Sequence, residues 1–172
     1  KKSKKICVAY NGMEKFFQAE KIVFTGNPVR KTIAQMNIRK EEGILFFHLN
    51  PAKKIVLAVG GSLGAKSINE AIAAHLDEFV SKGIQLVWQT GKLFFNQATT
   101  AVKGKEQLIK VFDFIQQVEY AYAAADIVIS RAGAIAVSEL CVAKKPAVLI
   151  PYPYAAEDHQ TQNALSLVHK DA

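Results

Sequence analysis

From residue 55 onward, short β-branched apolar runs alternate with segments of helical length. Ile55–Val59, Ile84–Trp88, Leu108–Phe112, Ile127–Ser130 and Ala147–Ile150 read as strands. Ala65–Val80 spaces its apolar positions as an amphipathic helix, and Val118–Ala125 is a short alanine-rich one. Gly133–Ala143 starts behind a glycine and stops before Lys144-Lys145-Pro146. This strand–helix order predicts an α/β fold: a Rossmann-like parallel sheet with right-handed crossovers and helices on both faces. Ligands of such sheets bind beyond the carboxyl ends of the strands, so chemistry is expected in the turns after Val59, Trp88, Phe112, Ser130 and Ile150.

Residues 1–54 do not fit the repeat. Ile6–Tyr10 and Ile22–Phe24 are strand-like, Gly26-Asn27-Pro28 is a turn and Ile38–Leu49 is helical, which reads as the tail of another unit. The chain stops at Asp171-Ala172 right after a helix-like segment with no stop signal, so truncation at both ends is expected. No internal repeat or low-complexity tract is present, and Ala121–Ala125 fits a closely packed helix.

Composition narrows the classes. At 172 residues, half of them hydrophobic, the chain is long enough to bury one core. No apolar run reaches bilayer-spanning length, and Lys1-Lys2-Ser3-Lys4-Lys5 lacks the apolar stretch of a signal peptide, so a cytosolic location is expected. Cys7 and Cys141 sit among apolar neighbours and are expected as buried thiols rather than a disulfide or metal pair; no metal ligand set is apparent. The net charge of +7 is uneven: residues 1–54 hold twelve Lys and Arg against four acids, the remainder ten against eleven. That basic end reads either as a solvated face or as a surface for nucleic acid or an anionic membrane. The stacking aromatics interleaved with basic residues that a single-strand binder needs do not form a pattern there, and nucleic acid is set aside as a partner.

Three turns carry candidate chemistry. Gly60-Gly61-Ser62-Leu63-Gly64-Ala65 follows a strand and opens a helix, so its amides and the Ser62 hydroxyl suit a phosphate; tight α/β packing explains the same glycines. The spacing is not G-x-G-x-x-G, and the next strand ends in Gln89-Thr90 with no acid for an adenosine ribose, so a dinucleotide oxidoreductase fits only loosely. In the second turn, Ser130-Arg131-Ala132-Gly133 leads into a helix whose first amides, Gly133 to Ala136, can stabilise a diphosphate by roughly 0.3–2 kcal/mol. Glu139, one turn further on, can accept from two ribose hydroxyls or serve as an ordinary surface acid. The third turn is Pro151-Tyr152-Pro153-Tyr154-Ala155-Ala156-Glu157-Asp158-His159-Gln160. There Asp158 can cap the helix holding Asn163 to Val168, and Gln160 and Asn163 offer the amide donors and acceptors that sugar hydroxyls require. Arg30, after Gly-Asn-Pro-Val, is either a phosphate partner worth roughly 1.5–3 kcal/mol or one more basic surface residue.

Taken together, Gly26–Arg30, Gly60–Ala65, Trp88–Lys92, Arg131–Ala134 with Val137–Glu139, and Pro151–Tyr154 through His159-Gln160 resemble the MurG family. These peptidoglycan enzymes add N-acetylglucosamine to undecaprenyl-diphosphate-linked muramyl pentapeptide, and the ordered match covers nearly the whole chain. The resemblance implies half of a two-domain GT-B glycosyltransferase. Residues 1–30 would be the tail of the acceptor domain and the linker, and 31–172 the UDP-sugar-binding donor domain short of its final helices. It implies that Arg30 and Ser62 approach the uridine-diphosphate portion and that the Ile115 backbone reads uracil. Ala134, Ile135, Ala136, Val137, Ser138 and Glu139 would hold diphosphate and ribose, with Glu139 on the ribose hydroxyls, and Gln160 would contact the sugar. UDP-N-acetylglucosamine would be a substrate, with no cofactor and no obligatory metal. The general base, and the pocket for the undecaprenyl-linked acceptor, would lie in the missing N-terminal domain, so no catalytic residue is assigned here. The parent would work peripherally on the cytoplasmic face of the inner membrane.

Two departures bear on this: the family often has Ser at the place of Ala132 and Thr at the place of Ala136, so diphosphate contacts here fall to backbone amides. His159 stands in a loop of variable length, which bears on Gln160. Other readings are a different UDP-sugar GT-B enzyme, such as a lipid glycosyltransferase or UDP-N-acetylglucosamine epimerase, or a non-catalytic nucleotide-binding module.

Overall fold

The computed structural model describes residues 3–9, 12–155 and 158–168. Lys1 and Lys2 of the lysine-rich start, Tyr10 of the first expected strand, Ala156 and Glu157 of the third turn, and the Asp171-Ala172 end lie outside the described residues.

The two short N-terminal runs, β1 (Ile6–Val8) and β2 (Ile22–Phe24), pair in parallel as a sheet of their own. The next helices, α1 (Lys31–Ala34) and α2 (Lys40–Phe46), bring Ile33, Ile44 and Phe47 into the core of the larger sheet. Residues 31–49 therefore pack with that sheet rather than as the tail of another unit.

The larger sheet contains β3 (Ile55–Val59), β4 (Gln85–Gln89), β5 (Ile109–Phe112), β6 (Ile127–Ser130) and β7 (Ala147–Leu149), all parallel, in the order β5-β4-β3-β6-β7. β3 and β4 are covered on both faces, which is why they read as continuous apolar runs without alternation. One face packs Leu57, Val87 and Val128 against α2, α6 (Val118–Ala124) and α7 (Ala134–Ala143). The other packs Ala58, Leu86 and Trp88 against α3 (Lys66–Ala74), α4 (Leu76–Ser81) and α5 (Lys92–Ala101). The chain closes with α8 (His159–Val168). Val59, Gln89 and Ser130 stand level across three strands, so their turns leave the sheet along one rim.

Several expectations change. The single helix over Ala65–Val80 breaks at His75, whose ring Nδ1 bonds the Ala71 carbonyl at 2.7 Å. That carbonyl would accept the His75 N–H in a continuous helix; instead this N–H turns to Ile72. α5 has no counterpart in the sequence reading, and α8 starts four residues before Asn163. Cys7 and Cys141 are free thiols, but both are exposed: apolar neighbours in sequence did not bring them into either core cluster. Asp158 has φ of 51°, and its carboxylate accepts the Thr161 hydroxyl at 2.7 Å as α8 begins.

Asp126 ties α2 to the sheet. Its Oδ1 accepts from Lys40 Nζ at 2.6 Å and its Oδ2 from the Ile55 N–H at 2.9 Å. Burial pushes this carboxyl up, but the Lys40 ammonium and the Ile55 N–H outweigh it and hold it below the usual 3.8. A depressed folded-state value contributes stability that is complete above the unfolded value and is lost as pH falls through the folded one. Asp126→Asn is therefore expected to flatten the loss of stability below about pH 4, measured by urea unfolding across that range. An unchanged acid slope would remove Asp126 as a source of acid sensitivity.

Candidate functional site

A cleft of about 1220 Å³ opens on the carboxyl rim of the sheet. It is lined from both sides of the boundary between β3 and β6, where the strand order reverses. The chain leaves β3 towards one face of the sheet and β6 towards the other, so the two turns diverge and leave a crevice.

On the β3 side, the Gly60–Ala65 turn lies against the turn that ends β4. A side chain on Gly64 would run into the Thr90 carbonyl, and one on Gly91 into the Leu63 carbonyl; both residues have positive φ, 79° and 75°. The Gly61 carbonyl accepts the Gly64 N–H at 3.1 Å, and Ser62 stands exposed between them on the cleft wall.

On the β6 side, Gly133 precedes α7 and no side chain caps the helix, so its first amides keep their capacity to bind an anion. Arg131 sits beside them. Its NH1 donates to the Ile150 and Pro151 carbonyls at 3.2 and 3.0 Å, its NH2 to Ser67 Oγ at 2.8 Å, and the guanidinium lies over the Tyr152 ring. These partners are all neutral, so the held cation keeps its charge for a ligand.

Further along α7, Glu139 is only 2% exposed. Arg30 meets it as a fork, Nε to Oε1 and NH2 to Oε2, each at 2.6 Å. The Glu139 hydrogen bonds raise the Arg30 guanidinium further above its usual value. Beside the pair, burial first and then the Glu139 carboxylate push the Tyr122 phenol up to about 12, so it stays neutral at working pH. Asn27, three residues before Arg30, donates to Ser138 Oγ at 3.0 Å and to the Ala134 carbonyl at 3.4 Å.

Of the site residues expected from the sequence, Arg30, Ser62, Ile135, Ala136, Glu139 and Gln160 line this cleft together. Ala134 and Ser138 take up the Asn27 contacts, and Val137 is buried. Ile115 does not line the cleft, although Phe114 and Val118 do; it is buried, and its N–H donates to Gln89 Oε1 at 2.9 Å. Gln160 Oε1 accepts the Tyr152 N–H at 3.0 Å and closes the third turn, and Asn163 donates to the Ala132 carbonyl at 2.9 Å. Sequence reasoning gave no role to Arg131, Gln89 or Tyr122. The first two lay inside recognisable motifs, whereas Tyr122 in an alanine-rich helix carried no signal of its own. Among the described residues no group of three His, Cys, Asp or Glu is placed to hold a metal ion.

The family model described as Glycosyltransferase family 28 C-terminal domain matches residues 55–172. The chain belongs to glycosyltransferase family 28. One family relative, from Parabacteroides distasonis, is 55% identical over 173 residues, covering 100% of this chain and 47% of its own length. It is named UDP-N-acetylglucosamine–N-acetylmuramyl-(pentapeptide) pyrophosphoryl-undecaprenol N-acetylglucosamine transferase. A relative of the same name from Flavobacterium psychrophilum is 47% identical, over 99% of this chain and 46% of the relative. The chain thus spans about half the length of the curated relatives it matches. Among solved structures, Acinetobacter baumannii MurG superposes with a TM-score of 0.69 at 30% identity, over 97% of this chain and 45% of that one. A glycosyltransferase from Rickettsia africae shares the fold, with a TM-score of 0.59 at 14% identity over 96% of this chain and 54% of its own. The family 28 chain thus has the Rossmann-like α/β fold of GT-B glycosyltransferases.

The Arg30–Glu139 fork yields a stability test. Arg30→Ala leaves a buried carboxylate without its cation; because the Arg30 side chain is 47% exposed, solvent screening limits the expected loss to about 1–2 kcal/mol. Arg30→Lys should recover only part, since a point charge cannot fork. Denaturant midpoints check both, and equal stability of all three proteins would show that Glu139 is satisfied by other groups.

Proposed function

We propose that this chain is the donor-binding half of an inverting glycosyltransferase that moves N-acetylglucosamine from its UDP carrier to an undecaprenyl-diphosphate-linked muramyl pentapeptide. The observation that carries this is the 55% identity, along the whole chain, to a transferase named for that donor and acceptor. The cleft geometry supports it. The open α7 terminus and Arg131 form an anion site for a diphosphate, Ser62 faces the same space, and Glu139 lies one helical turn beyond.

In this reading Arg30 uses one lone pair on each Glu139 oxygen and fixes the carboxylate plane, and the remaining pairs accept from the ribose hydroxyls. The Ile115 carbonyl accepts from the base, and Gln160 lies near the sugar. Ala132 and Ala136 supply no hydroxyl, so the diphosphate relies on α7 amides and Arg131.

In the transfer step the acceptor's C4 hydroxyl oxygen bonds to the anomeric carbon as the bond to the β-phosphate oxygen breaks, with inversion, and UDP departs. The acceptor proton passes to a base in the other half of the enzyme; residues 1–30 are the end of that half and the linker. This chain contributes stabilisation of charge growing on the leaving diphosphate, where a fixed dipole and a held cation act without reorganising. The parent would act at the cytoplasmic face of the cell membrane. Attachment there would be peripheral, through the basic first third of the chain; among the described residues no helix is long and apolar enough to cross a membrane.

Calorimetric titration with UDP-N-acetylglucosamine, with UDP-glucose and NADH as controls, is expected to show selective binding of the first. Glu139→Ala and Arg131→Ala should each weaken UDP about tenfold or more in the intact enzyme. Unchanged affinity in Glu139→Ala would remove the ribose contact, and preferential NADH binding would overturn the donor reading. Sedimentation with anionic vesicles should capture the intact protein at low salt and release it as salt rises; indifference to lipid charge would remove the basic surface from membrane attachment.

A further inference from the structure

The segment Trp88-Gln89-Thr90-Gly91 closes β4 and takes no part in the proposed donor contacts. Alternation along β4 sends Trp88 to one face, where its indole N–H donates to the buried Asn69 Oδ1 at 3.0 Å, and Gln89 to the other. Asn69 in turn donates to the Thr90 carbonyl at 2.7 Å, and the Thr90 N–H donates to the Phe112 carbonyl at 2.9 Å. The end of β4 is thus a stiff floor.

Gln89 is 4% exposed and uses both ends of its amide. Nε2 donates to the Gly61 carbonyl at 2.9 Å, and Oε1 accepts from the Ile115 N–H at 2.9 Å. Gly61 belongs to the turn after β3 and Ile115 to the turn after β5, the two neighbours of β4. A primary amide is the side chain that offers a donor and an acceptor on one short planar group, which is what spanning a carbonyl and an N–H requires. The Gly61 carbonyl also closes its own turn by accepting the Gly64 N–H. Whatever fixes that carbonyl therefore fixes Ser62, the next residue, on the cleft wall.

We propose that Gln89 is a positioning residue that holds the turn at Ile115 and the glycine-rich turn at Gly61 and Ser62 at a set separation. A nucleoside diphosphate then engages both at once. The inference rests on the donor-site reading and deepens it. A ligand that bridges two pre-placed groups loses little in ordering them, so removing the brace should fall on the increment that the phosphates add rather than on the nucleoside itself.

Gln89→Met keeps length and volume and adds no charge. In the intact protein, UDP and uridine affinities are measured for the native form and this variant. The ratio of the two affinities is expected to shrink at least about fivefold in the variant, with uridine affected less. Lower thermal stability with an unchanged ratio would make Gln89 purely structural and overturn the proposal. Should the variant fail to fold, amide exchange in the native protein decides. Uridine alone should slow exchange at Gly64, whose N–H is held by Gly61; no slowing overturns the brace. A native protein that binds neither uridine nor UDP overturns the donor reading and this inference with it, an outcome distinct from native binding with an unchanged ratio.

Discussion

β3 lies in the middle of the sheet, and right-handed crossovers dictate what can stand beside it. From β3 the chain moves outward over one face, through α3 to β4 and α5 to β5, and then returns over the other face through α6 to place β6 on the far side of β3. Two neighbouring strands therefore send their following turns to opposite faces, and a crevice opens between them. Each part of the cleft is a consequence. The glycine-rich turn belongs to β3, Arg131 and the open helix terminus to β6, and Gln89 to β4, where it reaches across to both adjoining turns.

Charge in this cleft is arranged for an anion although a buried acid stands in its wall. Glu139 unpaired would repel a diphosphate and would be costly to bury; the Arg30 fork cancels its charge while leaving lone pairs for neutral hydroxyls. Arg131 is held by carbonyls, a hydroxyl and a ring, so its charge is not cancelled, and Tyr122 stays a neutral phenol. The surplus near the helix terminus is thus positive. Among the described residues of the basic first third of the sequence, Arg30 is the one cation that lines this cleft.

The strands from residue 55 on were legible to within a residue at each end; for β3 and the Leu86–Trp88 stretch of β4 the cause is burial on both faces, which writes an apolar run, while β5, β6 and β7 are only partly covered and were marked by their β-branched residues. α5 was not, since its buried face comes down to Phe94 and Ala98 amid polar residues, with Leu93 pointing to solvent. The break at His75 depends on one ring nitrogen reaching a carbonyl, which no periodicity records. At the site, the turns were visible because strand-to-helix glycines mark them. The pairing of Arg30 with Glu139 was not, because the two residues are 109 positions apart and only the packing of α1 on α7 brings them together. Gln89 failed differently: it lay in a recognisable motif, but a glutamine ending a buried strand reads as polar punctuation until both its partners are seen.

That same pairing bears on where the functional unit begins. The family 28 match starts at residue 55, with β3, yet Glu139 inside that span is completed by Arg30 ahead of it. Ile33, Ile44 and Phe47 also fill the core beneath α6, and Asn27 is bonded to α7. A unit cut at β3 would leave a buried carboxylate without its cation, a loss of about 1–2 kcal/mol, and an apolar sheet face without its cover, a loss on the order of several kcal/mol, against a total stability of about 5–15. Gly26, with φ of 72°, turns the chain from β2 towards α7, and Pro28 fixes the backbone between Asn27 and Arg30. The packing that completes the cleft therefore extends ahead of β3 to this turn.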